Sequence, residues 1–116
     1  MKKDPNIFLA HILESIDAIE EYLEEVTEEE FHTSREKQDL VVRRLEIIGE
    51  AAKNIPEDFR KQHKSIPWKK MAGMRDVIIH QYFGINYNIV WDTVTNVLPP
   101  LKRQIEQLLK QSPPAV

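Results

Sequence analysis

Apolar residues recur at three- and four-residue steps along almost the whole chain, and no stretch of convincing length alternates with period two. That spacing puts apolar side chains on one side of an α-helix, where they must bury against another helix. Leu9, Ile12, Leu13, Ile16, Ile19, Leu23 and Val26 form one such stripe. A second helix carries Val41, Leu45, Ile48, Ala52 and Ile55, with Leu40, Ile47 and Ala51 beside them. So broad an arc predicts a central helix with neighbours on more than one side. Val90, Val94, Val97, Leu101, Ile105 and Leu108 make the last stripe. At 116 residues the chain is long enough for one core and not for two. The expectation is one all-α domain over residues 1–116, an antiparallel bundle of four long helices plus a short one.

Punctuation residues divide the chain. Asp4-Pro5 reads as a helix start, an acidic N-cap followed by a proline at the first helical position. Glu28-Glu29-Glu30 fits a solvated end or loop. Thr33 to Glu36 reads as a capping box with Thr33 at the N-cap. Gly49 and Ala52 are small enough for close helix approach, and Pro56 should stop the second helix near Ile55. Residues 57–63 could form a short helix, and Ile66-Pro67-Trp68 opens another running to Phe83. Gly84 then takes a left-handed C-terminal position. Asn86 or Asn88 caps the last helix, which the phase of its stripe predicts to be kinked at Pro99-Pro100 and not broken. Residues 111–116 read as a frayed tail.

Composition removes several classes of function. At 41% hydrophobic and 30% charged residues, the chain is globular and not disordered. Without cysteine there is no disulfide, thiol nucleophile or cysteine-based zinc site. Gly49, Gly73 and Gly84 are too far apart for a phosphate loop or dinucleotide fingerprint. His11, His32, His63 and His80 include no i, i+4 pair, so neither a metal site nor a cofactor is expected. His11 reads as packing or rim, and His32 and His63 as loop residues. No apolar run approaches the roughly 18 residues that span a bilayer, and the first residues do not resemble a signal peptide. No membrane association is expected, and the default compartment is the cytoplasm.

The net charge of −3 conceals a strong asymmetry. Residues 1–30 hold two lysines against ten acids, whereas residues 31–80 hold eleven Lys and Arg against seven. Lys53, Arg60, Lys61, Lys64, Lys69, Lys70 and Arg75 could form a local basic surface. On charge alone the simpler reading is a solvated lysine face.

Met71 to Phe83 stands apart. Its apolar residues surround much of a helical circumference, as in a core element, yet Arg75, Asp76, His80 and Tyr82 are built into it. Asp76 and His80 are i, i+4 neighbours, so the carboxylate can orient or charge-stabilise the imidazole. Arg75 and Tyr82, at i and i+7, share a neighbouring face. Polar groups in such a helix are costly unless paired. They form either a structural salt-bridge cluster or a functional site.

Arg75, four intervening residues, then His80-Gln81-Tyr82 match the R-x4-H-x-Y motif of the HepT-like family of HEPN-domain toxins. Ile48 to Lys53 resembles that family's second-helix segment. Met74-Arg75-Asp76 with His80 to Gly84 resembles its central block, and Val90-Trp91 with Leu98-Pro99 its final helix. The resemblance runs from about Ile7 to Leu109. It implies a HEPN-like fold and a toxin of a type VII-like toxin-antitoxin pair acting as a metal-independent endoribonuclease on RNA. It further implies a homodimer, with Arg75 and His80 as catalytic residues at the subunit cleft and Asp76 as polar support. The implied partner is a minimal nucleotidyltransferase antitoxin, MntA-like, which transfers AMP to Tyr82. The alternative is a non-catalytic helical module that binds such a nucleotidyltransferase.

Overall fold

The structure is a computed structural model that describes residues 4–74, 76 and 84–111. Helix α1 spans Pro5–Tyr22, with Pro5 in its first turn. The Asp4 carboxylate caps it, accepting from the Asn6 N–H at 2.9 Å. Leu9, Ile12, Ile16 and Ile19 have no exposed surface, as the stripe requires. Burying each contributes about 1.5–3 kcal/mol before the entropy of ordering is subtracted.

The three glutamates begin a helix and are not a loop: α2 spans Glu28–Thr33. Thr27 Oγ1 accepts from the Glu30 N–H at 3.1 Å, and the glutamates sit on the electropositive first turn. The next cap falls one residue later than expected. Thr33 closes α2, its hydroxyl donating back to the Glu29 and Glu30 carbonyls. Ser34 is extended and accepts from the Lys37 N–H, starting α3, Arg35–Lys53. Buried Gln38 donates to the carbonyls of Phe31 and His32, both at 3.1 Å, and so satisfies the end of α2. His32 accordingly lies in α2, not in a loop.

Helix α3 is central, packing on α1, on α2 and on α5 (Trp68–Ala72). Gly49 and Ala52 are buried, consistent with close approach, and Asn54 ends the helix just before Pro56. The short α4 spans Glu57–Gln62, with His63 as its C-cap. The helix expected to run from Trp68 onward is interrupted by a turn at Gly73, whose N–H bonds the Lys69 carbonyl at 2.9 Å. Met74 and Asp76 are helical again. The remainder of that expected helix, residues 77–83, lies outside the described residues.

Gly84 has φ +104°. Asn86 caps α6, Tyr87–Asp92, accepting from the N–H groups of Asn88 and Ile89. Helix continues through a π turn, Thr93–Val97, into α7, Leu98–Gln111. The π turn is the device that passes Pro99-Pro100. Proline offers no N–H and crowds the carbonyl four residues back, and widening the preceding turn relieves both problems. Lys102 sits beside Asp17 and Glu20, while Leu109 shares a hollow with Ala10 and Leu13, so α7 runs antiparallel to α1. Phe31, fully buried, joins α2 to α6 with its ring 5.3 Å from Trp91 and edge-on to Tyr87 at 6.3 Å.

The fold is all-α. Among the described residues there are three long helical runs and three short helices, against the expected four long and one short. The short helices α4 and α5 directly precede the Arg75 segment in sequence.

Candidate functional site

Of the four residues singled out in the sequence, Asp76 is the one the structure describes. It is helical and exposed. Arg75, His80 and Tyr82 lie outside the described residues. Upstream of the motif, the chain is anchored: Trp68, Met71 and Met74 are 6%, 0% and 5% exposed. Met74 therefore faces the core, and two residues later Asp76 faces out. A helix turns about 200° over two residues, so this reversal is what its geometry demands.

The anchor is built locally. The turn after α4 is closed by the Trp68 indole, which donates Nε1–H to the His63 carbonyl at 2.9 Å. The Phe59 ring lies 4.5 Å from the His63 ring and 6.2 Å from Trp68. Outside this apolar knot, Lys69 and Lys70 are exposed on α5, whereas Met71 is buried. They share an open groove with Arg60, Lys61 and Lys64. The sequence singled out these cations but gave no sign of the hollow they surround. That depends on how the 63–67 turn folds α5 back against α4.

A second hollow, between α1 and α3, holds His11 with Glu46 and Glu50. His11 is exposed there and edge-on to Phe8 at 6.4 Å, as a rim residue would be. Among the described residues no group of three or more His, Asp or Glu side chains is placed to hold a metal ion. Among them, no helix is long and apolar enough to cross a membrane.

The all-helical bundle is consistent with the HEPN-like class that the sequence resembles. The family model described as "Ribonuclease HepT-like" matches residues 12–108. The chain belongs to that ribonuclease family, as the Arg75 to Tyr82 motif implied. It is 46% identical over 110 residues to the probable ribonuclease HepT of Thermococcus cleftensis, covering 95% of this chain and 100% of that one. A Methanocaldococcus jannaschii protein named as a candidate RNase is 47% identical over 109 residues, covering 94% of this chain and 90% of its own length. Another protein of that organism, whose name pairs gamma-glutamylcyclotransferase with a candidate RNase, is 49% identical over 111 residues. That match covers 96% of this chain and 50% of the larger protein, so the chain spans about half its length. No solved structure matches the chain.

Proposed function

We propose that this chain is the toxin of a toxin-antitoxin pair, a metal-independent endoribonuclease whose catalytic residues are Arg75 and His80. The observation that carries this reading is membership of the HepT-like ribonuclease family together with an intact R-x4-H-x-Y motif at residues 75–82. A module that only binds a nucleotidyltransferase would not require that pair.

The chemistry follows from the residue types. His80 takes the proton from the ribose 2′-OH, the 2′-oxygen attacks phosphorus, and the bond from phosphorus to the 5′-oxygen breaks. A second imidazolium, from His80 of the partner subunit, returns a proton to the departing 5′-oxygen. Proton transfer of this kind contributes on the order of 10²–10⁴-fold. Arg75 offers a permanently charged planar fork to the phosphate oxygens. One chain supplies one histidine in the motif, so a two-fold dimer completes the acid–base pair. Asp76, exposed and four residues before His80 in sequence, supports the histidine.

Control is assigned to Tyr82. A minimal nucleotidyltransferase antitoxin (MntA-like) transfers AMP from ATP to its phenolic oxygen, releasing pyrophosphate. The added phosphate repels RNA and gives Arg75 a competing anion. The site of action is the cytoplasm.

Two assays test the reading. Purified protein should cleave an RNA strand and leave the DNA strand of the same sequence intact, because DNA lacks the 2′-OH. Incubation with the nucleotidyltransferase and ATP should raise the mass by one or more AMP units at Tyr82 and stop cleavage. A Tyr82→Phe protein that cleaves RNA and is still silenced by enzyme and ATP contradicts the assigned switch.

A further inference from the structure

The proposed chemistry leaves the cations between Arg60 and Lys70 without a role, yet the fold gathers them around one open groove of about 860 Å³. Arg60 and Lys61 come from α4, Lys64 from the turn after it, and Lys69 and Lys70 from α5. Glu57 is the one carboxylate among the described lining residues, and it pairs with Lys61 at 3.5 Å with both groups exposed. Among the described residues, Lys64, Lys69 and Lys70 have no carboxylate within 4.0 Å. The Arg60 Nε is buried without a hydrogen-bond partner among the described residues.

A lysine face kept for solubility needs no hollow and gains nothing from crowding. Here the cations share the groove with partly exposed Pro67 and with the edges of buried Ile66 and Trp68. Like charges sharing one groove repel one another, and its described lining holds a single carboxylate against five of them. A polyanion would remove that repulsion. Cations grouped in an open groove with some apolar surface are what single-stranded nucleic acid selects, phosphates on the cations and base or sugar faces on the apolar part. Gly73, which also lines the groove, precedes Arg75 by two residues in the chain.

We propose that the α4–α5 groove holds the single-stranded RNA flanking the bond to be cleaved, with Arg60, Lys61, Lys64, Lys69 and Lys70 contacting its phosphates. This rests on the ribonuclease reading above. It assigns substrate capture to residues outside the Arg75–His80 motif.

The test uses a short single-stranded RNA, 2′-O-methylated throughout so that it cannot be cleaved, and fluorescence anisotropy with the full chain. Lys64→Gln/Lys69→Gln/Lys70→Gln should weaken binding by at least about tenfold near 0.1 M salt. It should also flatten the slope of log affinity against log salt by about 2, at roughly 0.7 per lost phosphate contact. The Lys→Arg triple at the same positions should bind like the wild type. A control with equal charge loss on α3, Arg35→Gln/Lys37→Gln/Arg43→Gln, should stay within about twofold of wild type with its slope unchanged. The proposal is overturned if the groove and α3 variants lose affinity equally, or if the groove variant keeps wild-type affinity and slope. It is also overturned if the groove variant loses only an acidic protein partner, or if the wild type binds no probe. Because the probe cannot react, the two readings fail separately. Groove-dependent binding without cleavage of ordinary RNA removes the nuclease and keeps the groove. Cleavage with groove-independent binding does the reverse.

Discussion

The Trp68 indole donates its Nε1–H to the His63 backbone carbonyl across 2.9 Å, closing the turn that folds α5 against α4. Trp68→Phe would retain most of the buried ring and leave that carbonyl without its donor. The expected loss is about 1–3 kcal/mol, read as a melting temperature lower by at least about 3 °C. An unchanged melting temperature would mean that the hydrogen bond does not hold this corner.

Lys102 ties α7 to α1, with its Nζ 2.9 Å from Glu20 and 3.1 Å from Asp17. Both carboxylates are about half exposed, which limits the cluster to about 0.2–1 kcal/mol per pair. Hydrogen bonding to Glu20, then to Asp17, raises the ammonium's pKa above its usual value of 10.5. A folded-state value above the unfolded one gives stability that is complete below the ordinary lysine pKa and lost as pH rises through the raised value. Urea unfolding of wild type and Lys102→Met at pH 7 and pH 9 should therefore differ by the same small amount. A difference that collapses by pH 9 would contradict the pairing.

Two positive-φ residues make opposite predictions. Glu25, with φ +60°, follows α1, and its side chain is exposed. Glu25→Gly should cost nothing or stabilise by up to about 1 kcal/mol. Gly84, with φ +104°, has no described residue within 4 Å of the position a Cβ would take, so Gly84→Ala should lose about 1–3 kcal/mol through backbone strain. Thermal melts of the two variants should move apart, and equal shifts would contradict the assigned backbone geometry.

Asp76 separates support from scaffold. Because it is exposed, Asp76→Asn should change stability by no more than about 0.5 kcal/mol. If it positions His80, kcat on RNA should fall several-fold while KM holds. A variant that melts early and cleaves normally would make Asp76 structural.

Elements with their own local signal were legible in the sequence. Asp4-Pro5 specified both the cap and the first turn of α1, and the stripe from Leu9 to Ile19 is the buried face. The shift from Thr33 to Ser34 was not legible, because two adjacent hydroxyl residues compete for the cap. Thr33's hydroxyl is taken by the carbonyls of the α2 helix that the glutamate run had concealed. Pro99-Pro100 was read correctly as passing within a helix, whereas the π turn that accommodates it has no sequence pattern of its own. Of the candidate site, Asp76 can be placed and is exposed. The basic run was visible as composition, but its concavity arises from tertiary packing around Trp68, which no spacing rule encodes.

In the proposed mechanism Arg75 and His80 cleave RNA without a metal ion. It is tested most directly by the cleavage rate of a defined RNA strand, in excess chelator, for wild type, Arg75→Ala and His80→Ala. Light scattering and far-UV circular dichroism on the same samples would read assembly and fold. The wild type should be dimeric, with activity that the chelator does not reduce. Each alanine variant should lose at least about 10²-fold in rate with its dimer and helical signal intact. A His80→Ala protein that cleaves at the wild-type rate, or wild-type cleavage that chelator abolishes, would contradict it.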